Sequence, residues 1–502
     1  MSKILDTFDK IEDIVGSKYV SNSESIRYSY SRNADLILKG IPDIVVRPNS
    51  TDEVAEIIKV ANSTKTKIIP RGGGADLTGG AKPIGDGGIV IDLTRMNQVL
   101  DVDLKARIVT VECGISWSEL CNYLQKIDNG LYTGSTGPAS GFGATIGGGL
   151  SNNTVGGGGA AMYGAVTEQC VGLEVVLPTG QVIQTGAKAN SFMDRAFSRM
   201  GLGPDYSGLF LGDVGIHGIK TKASFNLYPI PEFAAFNTFD IKAKDTITPI
   251  ERVTDVMLKW QHAKIKIHDF YYFPKNFVLN IKQFKIIKSW KTAKVKGGVL
   301  FYTTVADSQR ELDDNVERLN KIAREAELRK LGPQVENGNI AKWFYEEDGR
   351  WQWGHFCFGA MPGLGSFGTC LKAPTDLLPK YLDFFQRWEI KNAQKIAKVG
   401  GGATSFLVFG VHPSYIDVTS GLALIPKPKN VEKIYELWKS LIIAQIKELG
   451  CMHYWMGEII GHALVESGAL TEEYYNLMIS IKKALDPNKI ISPNKFHLAN
   501  HY

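Results

Sequence analysis

Two glycine-rich segments constrain the fold of this chain more than any other feature. Residues 70–80, PRGGGADLTGG, hold five glycines, and residues 134–159 hold eleven. Glycine costs roughly 0.5–1 kcal/mol relative to alanine inside a helix or strand, so neither segment favours regular structure. Two glycine-rich loops that each leave a strand can point backbone N–H groups at one anion without interference from Cβ atoms. The pattern therefore predicts a cradle for a pyrophosphate.

Short apolar runs around these loops indicate an alternation of strands and helices. Runs rich in Val and Ile, bounded by Gly, Pro and Asp, predict strands at 43–48, 65–70, 87–96, 106–114 and 171–180. Ser50 and Glu53 form a capping-box pattern before an apolar face at helical spacing. Residues 116–127 predict a second helix in this half of the chain.

The composition changes near residue 231, where glycine becomes rarer and aromatic residues and lysines become more frequent. Residues 315–332 and 430–450 predict amphipathic helices. Strand-like and helix-like segments alternate through 235–450. This half of the chain therefore indicates a second domain of the α+β class.

Composition and motifs argue against several functions. The chain has 502 residues and a formal net charge of +5 without clustered Lys/Arg runs, so we expect no nucleic-acid partner. The six cysteines form no C-x-x-C pair, which argues against an iron–sulfur cluster or a zinc site within this chain. The first residues lack the apolar core of a signal peptide, and no apolar run is long enough to span a bilayer. We therefore expect a cytoplasmic location.

The nucleotide that would carry the pyrophosphate is not a conventional one. The sequence contains no Walker motif. A G-x-G-x-x-G match occurs at Gly363, Gly365 and Gly368, but it neither opens a helix nor carries an acidic residue at the required distance. An NAD site of the Rossmann type is therefore not expected.

Five segments instead carry a family resemblance. They are YSYSRNADL with PDIVVRPNSTDEVAEIIKVAN, PRGGGADLTGGA, ATIGGGLSNNTVGGGG with MYGAVTEQCVGLEVVLPTG, LFLGDVGIHGIKTKASFNLYP, and ALDPNKIISPNKF. In this order they resemble the vanillyl-alcohol oxidase / p-cresol methylhydroxylase superfamily, most closely its D-lactate dehydrogenase and glycolate oxidase subunit branch. The resemblance implies an α+β fold: a two-lobed PCMH-type FAD-binding domain from residues 1–230 and 481–502, and an α+β substrate cap of antiparallel sheet and helices from residues 231–480.

The resemblance also implies FAD as the cofactor. Several members bind flavin covalently through a histidine of the first loop, but residues 71–76 contain none, so we expect non-covalent FAD. Asp76 must point outward or be paired, because a carboxylate repels a pyrophosphate. The residues expected to contact FAD are Pro70, Arg71, Gly72, Gly73, Gly74, Ala75, Asp76, Thr78, Thr136, Gly137, Gly143, Ala144, Thr145, Gly147, Gly148, Ser151, Asn152, Gly215, Gly218, Ile219 and Asn494.

The substrate side departs from the branch that the chain resembles. There, two histidines of a G-H-x-G-D-G-N-x-H motif and a glutamate of a G-E-H-G segment hold a divalent metal. Here FGVHPSYIDV offers His412 in a shifted register, and GEIIGHAL keeps Glu458, with His462 on the same face of a helix. The metal site is either rebuilt from these three residues or lost. In the phenol-oxidising branch the segment reads G-E-Y-R-T-H, and Ile459 and Ile460 replace its Tyr and Arg.

Further residues are candidates for substrate binding and proton transfer. Arg350, in an aromatic and charged segment, is the first candidate to clamp a carboxylate, with Lys372 as the second. The other interpretation of Arg350 is a salt bridge to a neighbouring glutamate inside an aromatic cluster. His412 or His462 would accept the hydroxyl proton, oriented or metal-linked through Glu458.

These features together favour an FAD-dependent oxidoreductase that dehydrogenates a 2-hydroxy acid of the D-lactate or glycolate type. The alternatives are a flavin-dependent oxidation of an aromatic or other alcohol, and a transferase like alkyl-glycerone-phosphate synthase, whose histidine triplet is absent. Electrons would leave to an external acceptor, namely a quinone, an electron-transfer flavoprotein, an iron–sulfur protein or oxygen. A homodimer and a complex with an electron-transfer subunit are both compatible with the sequence.

Overall fold

The two glycine-rich segments lie in a lobe built on two separate sheets, and a third sheet forms the second lobe. The computed structural model describes residues 2–33, 40–76, 78–135, 137–138, 140–155, 158–241, 248–274, 298–331, 342, 345, 365–401, 405–412, 414–424, 428–454 and 457–502. The expected α+β architecture, with an antiparallel sheet and helices in the second lobe, is confirmed.

The first sheet carries the first glycine loop. Its strands are β1 Val20–Ser21, β2 Ile44–Val46, β3 Ile68–Arg71 and β4 Ile89–Asp92, in the order β1-β2-β4-β3. β2, β4 and β3 are parallel, and their buried Val and Ile side chains pack under helices. The helices of this lobe are α1 Ser2–Val15, α2 Glu24–Tyr30, α3 Thr51–Thr64, α4 Trp117–Lys126, α5 Ile146–Asn152 and α6 Ala160–Tyr163.

Helices α3 and α4 begin at the serines that the sequence indicated. The Ser50 hydroxyl accepts from the Glu53 N–H at 3.1 Å, although the Glu53 carboxylate accepts from Asn49 rather than from Ser50. Ser116 and Glu119 form a complete capping box at the start of α4. Local sequence therefore fixes both helix starts.

The second sheet is antiparallel throughout, with the order β5-β6-β10-β8-β9. The strands after β4 in this lobe are β5 Val99–Asp103, β6 Ile108–Glu112, β7 Leu131–Tyr132, β8 Cys170–Val176, β9 Val182–Gln184, β10 Ile219–Asn226 and β11 Tyr228–Pro229. β7 and β11 pair as a short ribbon. Trp117 of α4 is fully buried in the core of this sheet.

The third sheet has eight antiparallel strands in the order β15-β12-β14-β13-β17-β18-β16-β19. They are β12 Phe233–Ile241, β13 Ile267–Phe273, β14 Gly298–Ala306, β15 Arg329–Lys330, β16 Gly365–Pro374, β17 Ser405–Val411, β18 Tyr415–Leu424 and β19 Met452–His453. Helices α7 Thr248–His262, α8 Gln309–Glu325, α9 Leu378–Lys398 and α10 Val431–Leu449 supply the apolar side chains that cover one face of this sheet.

The last part of the chain connects the two lobes. Ile459, Ile460 and other residues of α11 Glu458–Ser467 pack into the core of the third sheet, whereas α12 Glu472–Leu485 packs near Val214 and Phe496 of the first lobe. Residues 490–492 then lie alongside β3. The division at residues 230 and 480 stays a prediction. No helix within the described ranges is both long and apolar enough to cross a membrane.

Candidate functional site

The two glycine-rich segments contact each other directly. β3 leads into the first loop, and the second segment enters α5 through its N-cap, Thr145. A Cβ on Gly73 would overlap the carbonyl oxygen of Gly143, and a Cβ on Gly72 would overlap the hydroxyl of Thr145. These two glycines let one loop pack on the other. The expectation that their missing side chains make room for a ligand is therefore wrong, because protein atoms occupy that space.

One glycine of the second segment, Gly148, and one further along the chain, Gly215, do face open space. A Cβ on Gly148 would have one neighbour within 4 Å, the Thr145 hydroxyl at 3.3 Å. Gly215, with φ of +71°, would meet only Pro70, at 3.9 Å. The N–H groups of residues 73–75 donate to no group in the part of the chain that the structure describes. N–H donors beside open space suit an anion such as a pyrophosphate, and the predicted cradle stays a prediction.

Asp76 and Arg71 hold the first loop in shape. The Asp76 carboxylate accepts from the Thr78 N–H at 3.0 Å, from the Thr78 hydroxyl at 3.1 Å and from the Gly80 N–H. The Arg71 guanidinium donates to the carbonyl oxygen of Ala81 at 2.9 Å. The Asp76 carboxylate is therefore hydrogen-bonded within its own loop, which stabilises its charge and lessens the repulsion that it would exert on a pyrophosphate.

A cleft of about 1510 Å³, counted out to the solvent at its mouth, runs from these loops to the third sheet. The predicted FAD residues that line it are Pro70, Arg71, Gly72, Gly73, Gly74, Ala75, Asp76, Ala144, Thr145, Gly147, Gly148, Ser151, Asn152, Gly215, Gly218 and Ile219. Sequence reasoning missed Cys113, Ser140, Thr154 and Lys220, which also line it. Their contacts with FAD stay a prediction.

The remaining predicted FAD residues do not line the cleft. They are Thr78, Gly137, Gly143 and Asn494, and Thr136 lies outside the described residues. The Thr78 hydroxyl accepts from the Gly457 N–H at 2.9 Å. The Asn494 amide donates to the carbonyl oxygen of Ile84 at 2.9 Å. These two residues join the first loop region to the C-terminal part of the chain.

The opposite wall of the cleft comes from the third sheet and is aromatic. Its residues are Tyr271 and Phe273 on β13, Phe409 on β17, Thr419 on β18, and Tyr454 after β19. The Tyr454 hydroxyl donates to the carbonyl oxygen of Val155 at 3.1 Å, so the two lobes are joined at the cleft. The aromatic run at 270–273 was visible in the sequence. Which alternate residues face the cleft depends on strand pairing, and sequence does not supply it.

Lys372 lies on β16 at the margin of this wall. Its Nζ is 5.7 Å from the ring centroid of Tyr454 and 5.7 Å from that of Tyr415. Burial raises the pKa of the nearby Glu168, and the charges of His412 and Lys372 oppose that shift. His412 itself is exposed. Neither His412 nor Lys372 lines the cleft. Arg350 lies outside the described residues.

Glu458 and His462 form a pair away from the cleft wall. The Nε2 atom of His462 is 3.0 Å from Glu458 Oε1 and 3.0 Å from the carbonyl oxygen of Asn494. Burial lowers the pKa of His462, but the Glu458 carboxylate outweighs it, and the net pKa is raised. Ile459 and Ile460 are fully buried in the core of the third sheet and do not line the cleft.

The three residues considered for a metal site are therefore not gathered as one cluster. His412 follows β17, and its N–H donates to the carbonyl oxygen of Ala160 at 3.0 Å. Across the described ranges, no group of three or more His, Cys, Asp and Glu residues could hold a metal ion. The alternative of a rebuilt site finds no support in this geometry.

Comparisons with known proteins support an FAD site at the two glycine-rich loops. Residues 42–186 match the FAD binding domain family. The chain is similar to glycolate oxidase subunit GlcD of Bacillus subtilis, 32% identical over 227 residues, which cover 45% of this chain and 46% of the relative. It is similar to a probable mitochondrial D-lactate dehydrogenase of Danio rerio, 32% identical over 223 residues, which cover 44% and 42%. The chain thus spans about half the length of the curated relatives it matches.

A solved structure extends the likeness over the whole fold. The structure of p-cresol methylhydroxylase with substrate bound gives a TM-score of 0.82 at 18% identity, over 99% of this chain and 97% of that one. At this identity the likeness concerns the fold alone. The family match, together with the glycine-rich loops that line the cleft, identifies FAD as the cofactor.

Proposed function

We propose that this chain, which belongs to the FAD-binding superfamily of vanillyl-alcohol oxidase and p-cresol methylhydroxylase, is an FAD-dependent dehydrogenase of a 2-hydroxy acid. One observation carries the proposal: the FAD-binding domain, similar to those of a glycolate oxidase subunit and a D-lactate dehydrogenase, shares one cleft with the third sheet. Glycolate and D-lactate are both 2-hydroxy acids. A substrate in this cleft would lie between the flavin and the cap wall.

Contacts in the cleft support non-covalent FAD. The N–H groups of residues 73–75 would hold the pyrophosphate, and Gly148 and Gly215 would let it approach the backbone. When bound, oxidised FAD supplies the acceptor for the hydrogen and electron pair of a carbinol C–H bond. Cys113 lines the cleft, but burial raises the pKa of its thiol, which makes it a poor nucleophile for attachment.

The carboxylate of a 2-hydroxy acid needs a cation near the aromatic wall. Lys372 serves this purpose in our proposal, because its ammonium lies beside Tyr454, which lines the cleft. Arg350, the first candidate from the sequence, remains a proposal without described geometry. Glu458 and His462 remain candidates for proton transfer, although they pair with each other outside the cleft wall.

A second candidate function is the oxidation of an aromatic alcohol. Tyr271, Phe273, Phe409 and Tyr454 give the cap side of the cleft an aromatic surface that suits a ring better than a small acid. Ile459 and Ile460 do not contribute to this surface, because they are buried in the cap core. The aromatic wall is therefore the observation that favours this alternative.

The electron acceptor, the assembly and the location remain proposals. Electrons would pass to a quinone, an electron-transfer flavoprotein, an iron–sulfur protein or oxygen. The described cysteines are all buried, and no disulfide joins two of them. A homodimer, a complex with an electron-transfer subunit, and a cytoplasmic location are retained as expectations from the sequence.

Anaerobic substrate screening tests the proposed function directly. The FAD-loaded protein is mixed with D-lactate, glycolate, L-lactate or a benzylic alcohol, and bleaching of the flavin absorbance is followed in time. We expect D-lactate or glycolate to bleach the flavin fastest. Bleaching by the benzylic alcohol with no response to either acid would replace the proposed function by the second candidate.

A further inference from the structure

Asp417 is a fully buried carboxylate on the cap sheet, 0% exposed. It lies on β18, opposite Phe409 of β17 and opposite Lys372 of β16 in the two strand ladders. Neither carboxylate oxygen has a hydrogen-bond partner within the described ranges. An ionised carboxylate buried without partners is costly, so its retention needs a reason.

The side of the sheet that Asp417 faces follows from strand alternation. Ile416 and Val418, its neighbours on β18, are buried in the core under the cap helices. Asp417 must therefore point to the opposite face, because successive side chains of a strand alternate. Phe409, directly opposite, and Thr419, two residues further along β18, both line the cleft. Asp417 thus shares the cleft face of the sheet.

Burial and the charge of Lys372 act in opposite directions on the pKa of Asp417. Burial raises the pKa of Asp417 to about 7, and the charge of Lys372 opposes this shift. Cys370 and Tyr415 also face it, and both have a pKa raised mainly by burial. A carboxylate in this state can hold or release a proton near neutral pH.

Two other buried carboxylates of the cap sheet have hydrogen-bond donors. Asp240 accepts from the guanidinium of Arg329. Asp269, two positions before Tyr271 on β13, accepts from the Gly159 N–H at 3.0 Å. Each of these carboxylates has a visible structural role, which Asp417 lacks.

We propose that Asp417, which lies behind the cleft lining and not in it, is the proton acceptor for the alcohol oxidised in the cleft, and that the hydroxyl proton reaches it through the wall beside Thr419. The O–H bond breaks and its proton passes to a carboxylate oxygen of Asp417. The carbinol C–H bond gives its hydrogen and electron pair to oxidised FAD, and a C=O bond forms. This proposal rests on the proposed function for its substrate, but any alcohol oxidised in this cleft needs such an acceptor.

The first test is the rate of flavin reduction in Asp417→Asn. Asparagine keeps the shape of the side chain and cannot take the proton. We expect FAD occupancy to be unchanged and the anaerobic reduction rate to fall about a hundredfold. The matched control is Asp240→Asn, which removes a buried carboxylate from β12 of the same sheet, and its reduction rate should stay within about twofold.

Two readouts independent of turnover separate a proton acceptor from a structural carboxylate. An infrared difference spectrum across a pH step through about 7 should show a buried carboxyl band in the wild type that Asp417→Asn lacks. Thermal unfolding should give Asp417→Asn a Tm equal to or above that of the wild type, because no partner is lost. Asp240→Asn should show the reverse, a lower Tm, because Arg329 loses its acceptor.

The tests of Asp417 and the substrate screen can fail independently of each other. A lower Tm with a normal reduction rate in Asp417→Asn would overturn the proposal and make Asp417 structural. If hydroxy acids fail but a benzylic alcohol bleaches the wild type and not Asp417→Asn, the proposed function fails and the role of Asp417 stands. An unchanged infrared spectrum in Asp417→Asn would also overturn it.

Discussion

The ammonium of Lys495 donates to the carbonyl oxygen of Gly80 at 2.9 Å and so joins the C-terminal segment to the first glycine loop. The same ammonium donates to the carbonyl oxygen of Val214, next to Gly215 of the cleft wall. Burial lowers the pKa of Lys495, and the charges of Glu458 and Asp76 oppose that shift. One buried cation therefore holds two of the segments that line the cleft.

Replacing Lys495 by methionine should loosen both segments. Two buried carbonyl oxygens lose their donor, at a cost of about 1–3 kcal/mol each. We expect a lower Tm and a lower FAD content per protein than in the wild type, measured by calorimetry and flavin absorbance. The control is Lys483→Met on exposed α12 surface, which should change neither. Full FAD content in Lys495→Met would show that the loop keeps its shape without this lysine.

Gly148→Ala and Gly73→Ala should fail in different ways. Alanine at Gly148 fits the protein with a small shift of the Thr145 hydroxyl, so the apoprotein should keep its Tm while FAD affinity falls by tenfold or more, about 1.4 kcal/mol. Alanine at Gly73 overlaps the Gly143 carbonyl and should lower the Tm itself. Calorimetry of the apoprotein and flavin titration distinguish the two. Equal FAD affinity in Gly148→Ala and wild type would contradict our placement of the cofactor.

Acid precipitation should release the flavin from the protein. Residues 71–76 offer no histidine for attachment, and the Cys113 thiol in the cleft is poorly nucleophilic because burial raises its pKa. After precipitation and centrifugation, flavin absorbance should appear in the supernatant and not in the pellet. Yellow colour that stays with the pellet would show covalent attachment.

The rate of flavin reduction should fall as the pH drops below about 7, because Asp417 then holds a proton and cannot accept another. The charged or titratable groups around it are Lys372, Cys370 and Tyr415. Asp417→Asn should lose this dependence. Rates measured in stopped flow from acid to neutral pH check it, and a parallel pH profile in both proteins would count against Asp417.

Asp417 should also make folding stability depend on pH. Its folded pKa is raised, so the folded state binds more protons than the unfolded state between the ordinary Asp range and about 7, and stability falls as pH rises. The Tm advantage of Asp417→Asn over wild type should therefore grow across this window. Differential calorimetry at several pH values measures it, and an advantage that shrinks with rising pH would contradict the sign.

Glu458→Gln should reveal the ion pair with His462. The net pKa of His462 is raised, so the pair stabilises the fold below the ordinary histidine pKa, and the stabilisation is lost as pH rises through the folded value. We expect a larger loss of Tm at acid pH than at alkaline pH. If Glu458 instead supports proton transfer, as the family resemblance suggested, Glu458→Gln would slow flavin reduction about a hundredfold with FAD still bound. A rate near that of the wild type would favour Asp417 over the His462 assignment.

Features that depend on residues close together in the sequence were well predicted. Contacts between side chains on neighbouring strands were not. Ser50 and Ser116 marked the starts of α3 and α4, because a cap depends on residues three positions apart. Helix α8 begins at Gln309, six residues before the predicted start at residue 315, because Ser308 caps it. It ends at Glu325, and Glu327 follows with φ of +60°. Apolar periodicity alone did not locate these ends.

One side of the candidate site was predicted from the sequence and the other was not. The flavin side of the cleft followed from the glycine-rich motifs and the family resemblance. The cap side did not, because Tyr271, Phe409 and Asp417 come together only through the register of β13, β17 and β18. Gly72 and Gly73 were found for the wrong reason, since their neighbours are residues 143–145 of the other loop.

The position of residues 490–492 beside β3 has a consequence for biosynthesis. The contact between Lys495 and Gly80 joins residues 415 positions apart, which a ribosome adding 5–20 residues per second separates by roughly 20–80 s. During that interval the outer edge of β3 has no strand beside it and can pair with another nascent chain. We therefore expect the first glycine loop to reach its final shape only after residue 495 has emerged, and a chaperone that shields β3 to raise the yield of FAD-loaded protein.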